Sequence, residues 1–167
     1  MNIGKIFPFI ASLFILEACS NIDCPLDNIV EMTCGLYSAD KKTPFTLTNT
    51  LTITPLHSDS ILLNKAQNIK SFVLPLSYAG NVDTLLFHFS NAEGQSATDT
   101  IWIGKTNQKH FESADCPLSI FHTLQTMRWS SHNISVMPVT IDSVSLVRPI
   151  VNYENIENLR IFLRTAQ

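Results

Sequence analysis

The sequence predicts an all-β protein, folded as a single antiparallel β-sandwich of about eight or nine strands. Three observations predict it. Apolar residues alternate with polar ones over most of the chain, turn-forming clusters separate these runs, and apolar residues at helical spacing are scarce. Of the 167 residues, 45% are hydrophobic, which is enough for one domain with a buried core.

The alternating runs identify the candidate core. In the clearest run, five threonines between Thr46 and Thr54 face one way and apolar side chains face the other, as in a sheet with one solvated face. The predicted apolar stripes are Phe45, Leu47, Leu51 and Ile53; Leu85, Phe87 and Phe89; Ile101 and Ile103; and Leu159, Ile161 and Leu163. Turn residues occupy 40–42, 64–68, 79–81, 91–94 and 152–158.

Two segments depart from simple alternation. Between Ile134 and Val147 the apolar parity switches near Asp142 and Ser143, which predicts a bulge or break in that strand. Within residues 118–127, apolar and polar side chains recur at three-and-four spacing, at Leu118, Phe121, His122 and Gln125. That stretch is the best candidate for one short helix.

Composition argues against several function classes. Eleven Lys and Arg against 14 Asp and Glu give a net charge of −3, so no basic excess is present to neutralise nucleic-acid phosphates. The side chains of 16 Ser, 15 Thr and 13 Asn replace the charges that usually cover a soluble surface. No G-x-S-x-G, H-E-x-x-H or glycine-rich phosphate loop occurs. We therefore expect no catalytic residue, cofactor or metal, and no nucleic-acid partner.

The N-terminus reads as a leader. Met1–Lys5 carries one positive charge, and Ile6–Leu16 is an apolar run of signal-peptide length, too short to span a bilayer. The tetrapeptide Leu16-Glu17-Ala18-Cys19 resembles the lipobox of bacterial lipoproteins, in which the cysteine is acylated and becomes the first residue. Glu17 departs from the small or hydroxyl residue usual at that place. The alternatives are an ordinary secreted protein cut near Ala18 and a buried N-terminal helix.

This interpretation divides the chain into a signal peptide at residues 1–18, a lipid-anchored tether at residues 19–28 and a β-sandwich domain at residues 29–167. Acyl chains on Cys19 would hold the domain at a membrane surface. Ser20 argues against retention at the inner membrane, and the following residues lack an acidic cluster. We expect the outer membrane, facing the periplasm, with the cell surface as the alternative.

Three cysteines remain once Cys19 is acylated. Cys24 and Cys116 each lie in an Asp-Cys-Pro-Leu tetrapeptide, whereas Cys34 lies on an alternating apolar stripe with Met32 and Leu36. A cysteine on such a stripe is most simply a core residue. The sequence therefore favours a Cys24–Cys116 disulfide, with a bridge involving Cys34 as the alternative.

A short pattern, Asp-Ser/Thr-aliphatic, occurs four times. Its hydroxyl residues are Ser60, Thr84, Thr100 and Ser143. The simplest interpretation is that each Asp and hydroxyl caps a turn before an apolar strand. The triplet also resembles the acceptor signature for periplasmic O-glycosylation in Bacteroidetes, so these four hydroxyls are candidate glycosylation sites.

Two further residue sets could carry chemistry. Trp102 and Trp129 are candidates for stacking on a ligand such as a sugar, although core placement is the default for both. His110, Cys116 and His122, with Glu112 or Asp115, could be drawn together as a metal site, but their spacing matches no common zinc arrangement. Cys116 acting as a nucleophile with His122 would need a free thiolate, so neither chemistry is favoured.

Five segments together carry a family resemblance. They are Cys19–Leu26, Leu51–Thr54, Phe72–Tyr78, His110–Cys116 and Ile141–Val144. In order and spacing they are similar to small Bacteroidales lipoproteins of unknown function. The resemblance implies a Gram-negative envelope protein and agrees with a bridge between the two Asp-Cys sites. Cys34 departs from the family, in which an aromatic residue is the more familiar occupant.

The expected function is a non-catalytic accessory or structural role. The partner would be another envelope component, such as an outer-membrane barrel, contacted through an exposed sheet edge or the threonine-rich face. A glycan-binding module is the first alternative and an envelope hydrolase the second.

Overall fold

The computed structural model describes Cys24, residues 29–114 and residues 116–166. Ten strands form the regular structure of this part of the chain, and the same residues contain no helix long and apolar enough to cross a membrane. In chain order the strands are β1 (Met32–Ser38), β2 (Thr50–Pro55), β3 (Leu63–Ala66), β4 (Ser71–Leu74), β5 (Val82–Ser90), β6 (Ser96–His110), β7 (Ser119–Trp129), β8 (Val139–Leu146), β9 (Ile150–Val151) and β10 (Glu157–Thr165).

The strands form two sheets that enclose one core. A four-stranded sheet has the order β4-β1-β10-β8, and a six-stranded sheet has the order β3-β2-β5-β6-β7-β9. Buried side chains from both sheets make a single hydrophobic cluster. The all-β sandwich is therefore confirmed. It has slightly more strands than expected, and two of them, β3 and β9, are very short.

One strand pair is not antiparallel. β1 and β10 run parallel, with Cys34 beside Leu159 and Leu36 beside Ile161. Parallel neighbours need a long crossover, and the whole chain between the two strands supplies it. Alternation could not predict this direction, because a strand places the same residues inward in either orientation.

The predicted stripes supply the core. Leu51 and Ile53, Leu85 to Phe89, Ile101 and Ile103, and Leu159 to Leu163 are buried at every second position. Cys34 is buried in the stripe from Met32 to Leu36, as expected of a core residue.

Two boundaries differ from the expectation. The first alternating run is a strand only over Thr50–Pro55, although Leu47 is also buried and pairs with Ile69 in an isolated bridge. The predicted turn at residues 64–68 contains most of β3.

The short helix expected at residues 118–127 is wrong. Residues 119–129 form β7, which pairs with β6 along most of its length. On β7, His122 and Leu124 are buried at alternate positions, whereas Leu118 and Gln125 are exposed. Because the polar residue His122 occupies an inward position, the apolar residues of this segment do not alternate as they do in the other strands. Their three-and-four spacing therefore resembled that of a helix by coincidence.

The predicted irregularity near Asp142 is confirmed. Ile141 pairs with Leu163 and Ser143 with Phe162, which leaves Asp142 as an extra residue in β8. Such a bulge reverses the parity of the strand. It therefore buries both Ile141 before it and Val144 after it.

The open edge of β8 is capped by side chains from outside the strand. The Trp129 indole Nε1 donates to the carbonyl of Asp142 at 2.9 Å, and the Ser131 hydroxyl donates to the carbonyl of Ile141. At the edge of the other sheet, Lys65 in β3 has a positive φ of 46°. Capping and local distortion both reduce the capacity of an edge to pair with another strand.

Candidate functional site

A cleft of about 450 Å³ opens at one end of the sandwich. One wall is the β2–β3 loop, which contributes the exposed hydroxyls of Ser58 and Ser60; the other is the β4–β5 loop. Leu76 and Leu85 contribute apolar surface, and Asp83 contributes a carboxylate. The cleft thus combines apolar walls with a few polar groups, as ligand-binding sites commonly do.

Asp83 is the charged group of this cleft. Its side chain is only 8% exposed; it accepts a hydrogen bond from the Ser77 amide at 3.0 Å and lies 3.6 Å from Lys105 Nζ. Burial raises the pKa of the carboxyl above its ordinary value, while the Ser77 hydrogen bond and the Lys105 charge oppose that shift. Asp83 is therefore a fixed acceptor at the base of the β4–β5 loop.

Lys105 is fully buried behind Asp83. Its ammonium donates to the carbonyl of Ser77 at 2.6 Å, to Asn107 Oδ1 at 3.1 Å and to the carbonyl of Gly80 at 3.3 Å. A buried ammonium is tolerated only when such partners replace water. Lys105 therefore holds the β4–β5 loop against β6.

His122 completes the buried polar cluster. Its Nδ1 is 2.8 Å from Asn107 Oδ1, which also accepts a hydrogen bond from Lys105. The Asn107 amide nitrogen donates to the carbonyls of Tyr78 and Gly80, so it is the oxygen of Asn107 that faces His122. This arrangement assigns a proton to Nδ1. Nε2 is buried and has no hydrogen-bond partner among the described residues. Burial, helped by the charge of Lys105, lowers the pKa of His122 to about 4.

Tyr78 lies between two cleft residues, Ser77 and Ala79, and covers His122. The two rings are stacked, with centroids 6.3 Å apart and planes 11° apart. The outer surface of Tyr78 is open to solvent, with 71% of the residue exposed. The buried cluster thus presents one exposed aromatic ring beside the cleft.

Sequence reasoning did not assign Tyr78, Asp83, Lys105 or Asn107 to a site, and it considered His122 only as a metal ligand or as a base for Cys116. A signal was present for two of them. Asp83 is in phase with the buried Leu85, Phe87 and Phe89, and Lys105 is in phase with Ile101 and Ile103. A charged residue at a core-facing position must find a buried partner.

The two candidate stacking residues lie on different surfaces. Trp102 is half-buried on the outer face of the six-stranded sheet, paired with Thr84 and covered by the Arg128 guanidinium at 5.4 Å. Trp129, at 38% exposure, caps the edge of β8. The structure therefore does not bring Trp102 and Trp129 into one site.

The four candidate glycosylation residues also differ in placement. Ser60 is exposed in the β2–β3 loop, whereas Thr84, Thr100 and Ser143 are half-buried within strands. The expectation that each Asp caps a turn before a strand is wrong for Asp99 and Asp142, which lie inside β6 and β8, and Asp83 is already the second residue of β5.

Asp99 instead joins the two sheets. Its Oδ1 accepts from the amide of His132 at 2.7 Å and from the His132 ring at 2.9 Å. Its Oδ2 accepts from the Thr140 hydroxyl at 2.9 Å and from the amide of Ile141 at 2.8 Å, both on β8. This buried carboxylate is fully used in holding β6 to β8.

The cysteines are arranged as the tetrapeptides suggested. Cys24 and Cys116 form a disulfide, with their Cα atoms 5.5 Å apart, and Cys34 is a free buried thiol. The Cys116 sulfur is therefore committed, and His110 stacks on Phe121 at 4.2 Å. Within the described ranges, no group of three or more His, Cys, Asp or Glu could hold a metal ion.

These features define a two-sheet β-sandwich with a cleft at one end and a disulfide between Cys24 and Cys116. The chain belongs to a family of unknown function, DUF6452, whose model matches residues 50–163. The matched region includes nine of the ten strands in whole or in part and the whole of the cleft. No curated protein and no solved structure matches the chain.

Proposed function

We propose that this protein is a lipid-anchored domain of a Gram-negative envelope, of the Bacteroidales type, that binds another envelope component without catalysing a reaction. Acyl chains on Cys19 hold it at the outer membrane, facing the periplasm. The Leu16–Cys19 tetrapeptide supports the anchor. The Cys24–Cys116 disulfide supports the compartment, because disulfides persist where the environment is oxidising.

Intact mass of the mature chain tests the anchor. We expect a chain that begins at Cys19 and carries the added mass of acyl groups, with precursor accumulating when the lipoprotein signal peptidase is inhibited. Cys19→Ala is the matched control and should remain unacylated. A mature chain without acyl mass would contradict the anchor.

The observation that supports binding is the cleft beside Tyr78. Asp83 is positioned by Ser77 and Lys105 before any ligand arrives, so little ordering is needed on binding. An exposed tyrosine adds a large contact area with only two side-chain torsions. We infer that this end of the sandwich recognises a partner that offers hydrogen-bond donors next to an apolar surface.

The contacts within the cleft favour binding over turnover. Ser58 donates its hydroxyl proton to Ser60 Oγ at 3.0 Å, so its hydrogen-bond partner is another hydroxyl and not a base. The contacts of Lys105 lie within the cluster, and Asp83 is held by its neighbours. These groups form a fixed recognition surface, whereas a hydrolase needs a base positioned against a nucleophile.

Site-specific photo-crosslinking in intact cells tests the binding role. A photoreactive residue at Val82, on the cleft wall, should give an adduct of defined mass, and the same residue at the equally exposed Val136 should not. Tyr78→Ala should weaken the Val82 adduct. Equal adducts at the two positions, or an adduct unaffected by Tyr78→Ala, would contradict binding at the cleft.

A glycan is the second candidate ligand, because Tyr78 is exposed on the loop that bonds to the Asp83 carboxylate of the cleft through Ser77. Sugars offer an apolar face for stacking and hydroxyls for such acceptors. Titration of the full chain with a glycan panel, followed by tryptophan emission and calorimetry, tests this. Binding abolished by Tyr78→Ala but retained in Trp102→Phe would favour a glycan at the cleft; no saturable binding would rule against it.

A further inference from the structure

The exposed apolar side chains of this protein gather at one end. Strand register places the end of β2, the end of β4 and the starts of β1 and β5 together, and the β6–β7 hairpin extends beyond them. We call this the hairpin end. Of 14 exposed large hydrophobic side chains among the described residues, 11 lie here, and the other three are Val73, Trp129 and Val136. The 11 are Ile29, Leu56, Ile61, Tyr78, Val82, Phe111, Leu118, Leu146, Val147, Ile150 and Ile156.

The tip of the β6–β7 hairpin projects furthest. Val82, the first residue of β5, pairs with Gly104, and β6 continues for six more residues to His110. At about 3.3 Å per residue this extension is roughly 20 Å long. Phe111 and Leu118, on either side of the tip, are 62% and 44% exposed.

The disulfide places this tip close to the proposed anchor. Cys116 lies in the tip and is bonded to Cys24, which follows Cys19 by five residues. A fully extended chain of five residues spans at most about 18 Å. If Cys19 carries acyl chains, the tip cannot move further from the bilayer than this covalent tether allows.

We propose that the hairpin end docks on the bilayer surface, with Phe111 and Leu118 inserted among the lipid headgroups. This inference rests on the proposed lipid at Cys19 and adds a fixed orientation for the domain. Single apolar side chains at the headgroup level add contact area to a lipid anchor. The tip carries Lys109 against Glu112 and Asp115, so it offers no basic cluster for anionic lipid and the proposed contact is made by apolar side chains.

Docking of the hairpin end would orient the cleft relative to the membrane. The β2–β3 and β4–β5 loops that form the cleft belong to the same end, so the cleft opens toward the membrane surface. The partner in the proposed function would then be a component embedded in or lying on that membrane.

Depth-dependent quenching tests the orientation. The mature acylated protein is reconstituted in phosphatidylcholine vesicles that contain brominated lipid, as Phe111→Trp and, in parallel, as Val136→Trp from the opposite end. The unsubstituted protein gives the background emission of Trp102 and Trp129. We expect the added tryptophan at 111 to shift to shorter wavelength and lose emission to the bromine, and the one at 136 to do neither.

The outcomes separate the two proposals. If the intact mass confirms the acyl chains and emission from position 111 is quenched no more than that from position 136, docking is overturned and the anchor stands. If the hairpin end contacts a second protein and not the bilayer, the tryptophan at position 111 would likewise remain unquenched in vesicles that contain lipid alone. If the mass shows no acyl chains, the anchor fails and docking fails with it.

Discussion

The Asp99 carboxylate of the six-stranded sheet accepts a hydrogen bond from the Ile141 amide of the four-stranded sheet, at 2.8 Å. Ile141 lies just before the bulge of β8, opposite Leu163 of β10, and its backbone N–H and carbonyl bond to the Asp99 and Ser131 side chains. A side chain from the opposite layer therefore occupies a position that another strand would otherwise fill. This contact fixes the separation of the two sheets at the open side of the sandwich.

Asp99→Asn should destabilise the fold by about 3 to 5 kcal/mol, the usual cost of breaking a buried charged network. In this variant an amide NH₂ replaces one carboxylate oxygen, so its N–H groups would face the N–H and O–H donors from which that oxygen accepted hydrogen bonds. Urea denaturation measures the change. Asp142→Asn, from the same sequence pattern but with a 33% exposed side chain 3.9 Å from Arg164, should stay within about 1 kcal/mol. Equal effects would contradict the assigned role of Asp99.

Lys105→Met should lower the free energy of unfolding by about 2 to 4 kcal/mol, because it leaves buried loop carbonyls without their donor. The same change should speed hydrogen exchange of amides in the β4–β5 loop. Lys109→Met, on an exposed position of the same strand, should alter stability by no more than about 0.5 kcal/mol. Unchanged exchange in that loop would show that Lys105 does not hold it.

His122 should make stability depend on pH between its ordinary pKa of 6.5 and its folded pKa of about 4. In that window the unfolded chain binds a proton that the folded chain refuses, so stability falls as pH drops from above 6.5 to about 4. A shift of this size corresponds to about 3 kcal/mol. His122→Gln should remove that part of the slope in urea denaturation across this range. Parallel curves for the two proteins would contradict the prediction.

Loss of the disulfide should cost about 2 to 5 kcal/mol, because the bond closes a loop with a sequence separation of 92 and restricts the unfolded chain. Cys24→Ser combined with Cys116→Ser tests this by thermal or urea denaturation. Reductant should bring the native protein to the same stability and leave the double variant unchanged. A reductant effect of equal size in both proteins would point to another cause.

Cys34 should resist thiol reagents until the protein unfolds. Its side chain is fully buried, and burial raises the pKa of the thiol well above its ordinary value, so almost no thiolate forms. Labelling with a maleimide, followed by peptide mass, should leave Cys34 unmodified in the native protein and modify it in denaturant. Rapid labelling of the folded protein would contradict the assigned packing.

The core was predictable from the sequence because inward positions recur with a period of two. Leu85, Phe87 and Phe89 are an example, and the bulge at Asp142 was visible as a break in parity. The same rule failed at β7, where His122 occupies an inward position and hides the period. Packing within the buried polar cluster overrides the local pattern there.

The site was not predictable, because its parts come from distant segments. Tyr78, Lys105 and His122 meet only after the β4–β5 loop folds over β6 and β7. The sequence does record one part of this arrangement, since Asp83 and Lys105 each interrupt an apolar stripe at a core-facing position. Which charged residue meets which is decided by strand order, and alternation does not encode strand order.

The position of β10 between β1 and β8 has a consequence for how the molecule is made. When the chain is synthesised or exported with its N-terminus first, the β5–β6–β7 meander can form early, since these three strands are neighbours in sequence. The four-stranded sheet forms later, because β1 has no partner on one side until β10, the last strand in the chain, has been made. Assembly therefore finishes only when almost the entire polypeptide has been released, and truncation of β10 would leave half of the sandwich without its central ladder.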